Sequence, residues 1–449
     1  MNRSKDVRTP TRTRPGTPAG THSAPSETGL VVSLLMLIAL VMLAPLMSYD
    51  TGPLTGGGNL ARQMAYFATL AVAIVAIRPL HDFKRVLVIP WPLLLVLGYC
   101  AVTLTWSLAP GIGARRLLLT AVVIWAICLI AANLSYRRLI TTLRWALVVT
   151  LAANYLTVLL VPDWGIHQSN DGFSKDLIGT WRGFMIQKNY AGVACAVTFV
   201  TFAFDNEGMP KWVPPVAMVG SALFLLMSES KTSFGIGLYA IAGGFVYMIQ
   251  SPRYRALFLP VLFAAGLTAL ISFAMFWRPI NATMSNPVAF TGRVQIWQAT
   301  AGYWRDHMWT GAGFGSFWNI GPDSPVYTYG RGFTTGLTSG HNGFLDLLAT
   351  VGLPGLVLAL FACVFYPLGK LLVNATIPRK TGALLTAWVL FCTGHNSTET
   401  SLFERDQIPQ VFLMFAVALV VRFSTRDTPA DRGAADRLWA DLGMDRAHT

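Results

Sequence analysis

Gly29-Leu-Val-Val-Ser-Leu-Leu-Met-Leu-Ile-Ala-Leu-Val-Met-Leu-Ala-Pro-Leu-Met47 contains no charged residue. A helix needs about 20 mainly apolar residues to cross a bilayer, and this run supplies them. It exceeds the apolar core of a signal peptide and shows no convincing small-residue cleavage site, so it is expected to stay in the membrane as a signal anchor. Residues 1–28 are rich in Thr, Pro, Ser and Arg, with almost no large apolar side chain. Such a segment cannot bury a core and reads as a disordered cytosolic tail.

Working outward, similar apolar stretches recur near 60–77, 86–106, 117–134, 143–161, 189–204, 213–228, 233–250, 256–276, 343–368, 382–397 and 408–423. Only 12% of the chain is charged, while 53% is hydrophobic. A soluble domain carries about 25% charged residues. The pattern predicts an all-α, polytopic integral membrane protein of about twelve transmembrane helices, with one membrane domain over 29–423 and a cytosolic tail over 424–449. Cys100, Cys128, Cys195, Cys363 and Cys392 all lie in apolar stretches without a CxxC pair. They read as buried thiols, neither disulfides nor zinc ligands.

With the N-terminus cytosolic, about two thirds of the 34 lysines and arginines fall on the inner side, as the positive-inside rule requires. Both termini are then cytosolic. The formal charge of +13 belongs to loops between apolar spans and reports topology, so no nucleic-acid partner is expected. The same alternation places two long segments outside, 162–188 and 277–342, the second between helices nine and ten. Loops of that length usually carry function. In the second, Thr291 can cap a helix starting at Gly292. Ile296, Trp297, Ala301 and Trp304 then share one face, as suits a helix at headgroup level.

Charges beside apolar spans are costly and need partners. Arg182 and Lys188 precede the sixth span, Lys231 sits in a tight outer hairpin, and Arg293 opens the loop helix. Together they can form a basic pocket for a diphosphate, which Arg binds with its two-pronged guanidinium. The plainer alternative is that each cation meets lipid headgroups or a nearby acid such as Glu229. His341 immediately precedes the apolar run from Gly343, where the positive end of a helix favours a neutral imidazole able to act as a base; a helix cap or a hydrogen-bonded interfacial histidine is the structural alternative. Trp297, Asn342 and Glu399 are further candidates for substrate contact. Glu399 can pair with His395 or orient an arginine. Gly311-Ala-Gly-Phe-Gly315 lacks both a surrounding βαβ unit and a Walker lysine, so it reads as turns. No motif calls for a metal or a cofactor.

Trp181 to Gly192, Ser228 to Thr232, Gly292 to Trp297, Gly311 to Trp318, His341 to Leu345 and Asn396 to Ser401 occur in an order that resembles the O-antigen ligase and O-antigen polymerase superfamily, especially its exopolysaccharide-polymerase branch. The resemblance spans roughly residues 60–420 and implies a GT-C-like membrane fold in the bacterial inner membrane. It implies a metal-independent, inverting glycosyltransferase that takes an undecaprenyl-diphosphate-linked glycan as donor and a glycan or lipid as acceptor. Arginines matching Arg182 and Arg293 would hold the diphosphate, and the histidine matching His341 would activate the acceptor hydroxyl. A chain-length regulator and a flippase are possible partners. Gln187 stands where a histidine often precedes Lys-Asn, and Thr350 where a glutamate is common. Polymerisation of lipid-linked repeat units is the favoured reading, with ligation to lipid A core or protein O-glycosylation as alternatives. The competing class, a secondary transporter or flippase, should show ionisable residues in mid-span, whereas the charges here gather at one surface.

Overall fold

The computed structural model describes residues 25–47, 58–169, 171, 177–251, 254–258, 260, 293–374 and 376–425. The described residues form helices and no strand, apart from one isolated antiparallel bridge between Ile166 and Trp181. In chain order the helices are α1 (Glu27–Met47), α2 (Leu60–Ile77), α3 (Trp91–Thr103), α4 (Pro110–Asn133), α5 (Tyr136–Leu160), α6 (Lys188–Phe204), α7 (Val213–Met227), α8 (Lys231–Ile249), α9 (Arg293–Asp306), α10 (Gly343–Leu360), α11 (Tyr366–Val373), α12 (Arg379–His395) and α13 (Ile408–Thr425). A π-helical turn, Phe361–Phe365, joins α10 to α11.

Leu60–Ile77, Pro110–Asn133, Tyr136–Leu160, Lys231–Ile249, Gly343–Val373 and Ile408–Thr425 are each long and apolar enough to cross a membrane. The chain is an all-α, multi-pass membrane protein. Every expected span coincides with a described helix except that near 256–276, most of which lies outside the described residues. Thr291 and Gly292, and both tails beyond residues 25 and 425, also lie outside them. Where the apolar runs began at 117 and 143, α4 and α5 begin at Pro110 and Tyr136. Hydropathy marks only the lipid-length core of such helices, while backbone hydrogen bonding carries them further, and α4 thereby lifts Arg115 and Arg116 into its first turns.

The centre of the bundle is α13, packed between α4 and α12 and almost wholly enclosed. Phe412 and Phe415 of α13 are buried, as are Trp388 and Phe391 of α12. Trp388 Nε1 donates to Thr201 Oγ1 of α6 at 3.1 Å, which satisfies a polar group where no water competes. On its buried side α8 presents Ser233, Gly237, Ala240 and Gly244. This small-residue face lets α8 and α12 approach closely, and lipid-embedded helices associate through such close packing in the absence of a hydrophobic drive.

The long loop is a folded layer over α10. Ile296, Trp297, Tyr303, Ala312, Phe317, Trp318, Val326 and Ala349 form a separate apolar cluster. α9 buries Val294, Ile296, Trp297, Ala299, Thr300 and Tyr303 against this layer, so the expected stripe through Ala301 and Trp304 is replaced by one rotated toward Tyr303. The reason is that α10 and the loop offer a protein surface to pack on. The Gly311–Gly315 string does form turns: Ala312 N–H donates to Ala349 O at 2.8 Å, Phe314 N–H donates to Thr103 Oγ1 at 3.0 Å, and Arg116 holds the carbonyls of Trp318 and Asn319 at 2.9 and 3.0 Å. The expected 343–368 span is broken at Gly352 (φ 68, ψ −175). The break frees backbone groups, and Leu353 N–H donates to Met308 O of the loop at 2.9 Å.

Candidate active site

Four of the six motif segments, those holding Asn189, Thr232, Arg293 and His341, meet at one short turn after α12 that belongs to a fifth, Asn396 to Ser401. Asn189, in the first turn of α6, donates from Nδ2 to Glu399 Oε1 at 2.7 Å. Thr232, in the first turn of α8, shares a hydroxyl hydrogen bond of 2.8 Å with Thr398. Arg293, the first residue of α9, reaches Glu399 Oε1 with Nη2 at 2.6 Å and bonds the Thr398 carbonyl through Nη1. His341, just ahead of α10, places Nδ1 3.0 Å from Glu399 Oε2. Glu399 thus joins three of the four segments and Thr398 the fourth.

The chemistry of this cluster follows from Glu399. Burial alone would raise its pKa, but the His341 hydrogen bond and the Arg293 charge outweigh it and hold the carboxyl down at about 2. An ionised carboxylate accepts hydrogen bonds only, so its partner atom His341 Nδ1 is the one that carries a proton, and in the neutral imidazole the lone pair is then on Nε2. A carboxylate that orients an imidazole in this tautomer is the recurring support of a histidine base. The bidentate reach of Arg293 to a carboxylate and a carbonyl is one that the guanidinium fork makes and a lysine cannot.

His341 stands at φ +49, the left-handed region that costs a non-glycine residue about 1–2 kcal/mol. The cap of α10 is Asn342, whose Oδ1 accepts from Phe344 and Leu345 N–H at 3.1 Å each while its Nδ2 donates to Ser397 O at 2.9 Å. Of the two structural alternatives for His341 the cap is overturned, because Asn342 fills that role; the ring is hydrogen-bonded to Glu399. Trp297 Nε1 donates to Gly340 O at 3.1 Å, bracing the residue before His341 from α9.

The other expected cations sit apart from this pair. Arg182 is buried, donates from Nε to Trp164 O at 2.6 Å, lies 3.2 Å from Asp171 Oδ2 and covers the Trp164 ring at 5.0 Å. It belongs to a cluster with His167, whose Nε2 accepts the Lys188 N–H at 3.3 Å; burial and the Arg182 charge lower the His167 pKa. This cluster anchors the start of α6, and with it Asn189. Lys231 is exposed at the start of α8. His395 is buried and meets Ser233 Oγ at 3.3 Å through Nε2, so Glu399 takes the second of its two expected roles, toward Arg293, and adds a pairing with His341 that the sequence did not suggest. Thr350, buried, donates its hydroxyl to Asp346 O at 2.7 Å.

A cleft of about 340 Å³ opens beside the pair. Its walls include Arg116, Gln187, Asn189, Trp318, Ser339, His341, Glu399, Glu404 and Arg405. Amides, hydroxyls and an indole suit a polyhydroxylated ligand. Among the described residues no three His, Cys, Asp or Glu side chains are grouped to hold a metal ion. Sequence reasoning passed over Asn189, Thr398, Arg116 and Asp346. The last had a readable signal, since it is a lone carboxylate in an apolar helix, where an unpaired charge is expensive.

Residues 216–360 match the family model Wzy_C, described as O-antigen ligase. The match holds Lys231, Arg293, Trp297, His341 and Asn342, and it supports the O-antigen ligase and polymerase superfamily that the motifs resemble. A search of curated proteins gives no match.

Proposed function

From the premise of an O-antigen-ligase-type domain, we propose that this protein is a glycosyltransferase of the bacterial inner membrane that polymerises undecaprenyl-diphosphate-linked glycan units at the periplasmic face. The observation that carries the reading is the Arg293–Glu399–His341 arrangement at the edge of a polar cleft. Outside the cytosol no nucleotide sugar is at hand, so the donor brings its own leaving group, and a lipid diphosphate is one. The acceptor hydroxyl gives its proton to His341 Nε2 as its oxygen attacks the anomeric carbon. The bond from that carbon to the diphosphate oxygen breaks, and the electron pair leaves with the diphosphate. One displacement inverts the anomeric centre and requires no covalent enzyme intermediate. Arg293 supplies positive charge beside the reacting atoms, the usual source of transition-state stabilisation for a departing anion. Arg182 supports the site by holding the start of α6 in place, and Lys188 and Lys231 sit at helix starts on the same side. Neither a metal nor a nucleotide has a step to perform.

The test is purified protein in proteoliposomes supplied with polyprenyl-diphosphate-linked oligosaccharide, in EDTA and without ATP. Glycan chains lengthen with wild type, and His341→Ala lowers turnover about 100-fold or more, the range for a lost general base. His341→Asn, which suits a cap but not a base, is equally impaired. Near-wild-type turnover in the Asn variant would falsify the base assignment. Transfer of finished glycan to lipid A core, without chain growth, identifies a ligase in place of a polymerase.

A further inference from the structure

His341 sits in an unfavourable backbone conformation and carries a ring that must point one way. The N–H groups of the residues on either side of it, Gly340 and Asn342, lead to the same oxygen. The Gly340 N–H donates directly to Asp346 Oδ2 at 2.9 Å. The Asn342 N–H donates to Thr400 Oγ1 at 3.1 Å, and the Thr400 hydroxyl in turn donates to Asp346 Oδ2. The second carboxylate oxygen, Oδ1, accepts from Trp318 Nε1 at 2.8 Å. Gly340 lies so close to this carboxylate that a Cβ there would collide with it. Thr400 directly follows Glu399, so one hydroxyl also ties the carboxylate partner of His341 to the same anchor.

We propose that Asp346, acting directly and through Thr400, is a positioning residue that fixes the direction of the His341 ring by holding the N–H groups of the residues on either side of it, Gly340 and Asn342. This rests on the reading of His341 as a base, but its geometry is independent of the substrate. Asp346 itself touches no reacting atom. An ionised carboxylate is the one side chain of this size that accepts three donors and offers none. Asn in its place turns an N–H toward groups that are donors themselves. Valine at 400 keeps the shape of threonine and removes both halves of the relay. Serine keeps the relay.

The experiment compares Thr400→Val, Thr400→Ser and, as a generic destabilisation control at a residue outside the cleft lining, Trp388→Phe in the full-length protein. Turnover and KM are measured with polyprenyl-diphosphate-linked oligosaccharide in proteoliposomes, and the imidazole of His341 is observed by nitrogen NMR in nanodiscs. Thr400→Val is expected to lower kcat about 10- to 100-fold, the scale of a displaced catalytic group, with KM nearly unchanged. Its His341 signal changes from the single Nδ1–H tautomer to an exchanging mixture. Thr400→Ser restores both readouts, while Trp388→Phe lowers the melting temperature and leaves the ring signal alone. A Thr400→Val protein with wild-type kcat and an unchanged ring signal overturns the proposal, as does a loss that Thr400→Ser does not rescue. If His341→Ala proves fully active, the base assignment fails while the ring signal still decides whether the pair positions the imidazole.

Discussion

At the scale of single residues, the site is a set of charges that are useful because each is already committed to a partner. Arg293 spans Glu399 and the Thr398 carbonyl with two nitrogens of one guanidinium. Arg293→Ala should lose most glycan extension in proteoliposomes, and Arg293→Lys should recover only part, because an ammonium supplies charge without the planar fork. Full recovery with Lys would reduce the position to a point charge. Glu399 makes a separate prediction about pH. Its folded pKa of about 2 lies below the ordinary glutamate value of 4.5, so its contribution to stability is complete above about 4.5 and is lost as pH falls toward 2. The gap in melting temperature between wild type and Glu399→Gln should therefore hold steady from pH 8 to pH 5 and shrink below it. A gap that already closes at neutral pH would mean that the carboxylate is not held ionised by His341 and Arg293.

At the scale of elements, the helices were legible in the sequence and their interruptions were not. Apolar length fixed the spans because lipid demands a continuous apolar surface and internally bonded backbone. It did not disclose the break in α10, since Gly352 and Pro354 sit inside an otherwise uniform apolar run and the partner of the freed backbone, Met308 O, lies far away in sequence. The face of α9 was misread for a related reason. A tryptophan-bearing helix outside the spans suggests headgroups, but the apolar cluster it joins is assembled from Phe317, Trp318 and Val326, whose proximity only the fold creates. Gly352→Ala tests the break. Its φ and ψ fall in a region that only glycine adopts freely, so alanine should cost about 1–3 kcal/mol. It should also push the Trp309–Thr310 backbone off α10. A clear drop in melting temperature with normal membrane insertion is expected, and an unchanged melting temperature would show that the loop does not depend on the break.

At the scale of the whole molecule, the proposed orientation rests on charge bias and is testable with reporters. Fusions within 305–335 should report the periplasm, and fusions after Lys84 or Arg426 the cytosol; a cytosolic 305–335 loop would separate the site from its substrate and sink the mechanism. The motifs pointed to segments that meet in the fold because polar residues tolerated at span ends need a reason to be there. They did not separate the residues that meet, Arg293, His341 and Glu399, from Arg182, which serves the start of α6, because burial and pairing arise only when distant helices come together. That meeting has a consequence for biogenesis. The turn holding Thr398 and Glu399 leaves the ribosome after all four segments that converge on it. A nascent chain threaded into the bilayer only as far as α10 has an imidazole without its carboxylate and an arginine without its counterpart. Under the proposed function, a lipid-linked sugar that meets such an unfinished protein would not react, and the site would become competent only when the hairpin of α12 and α13 inserts.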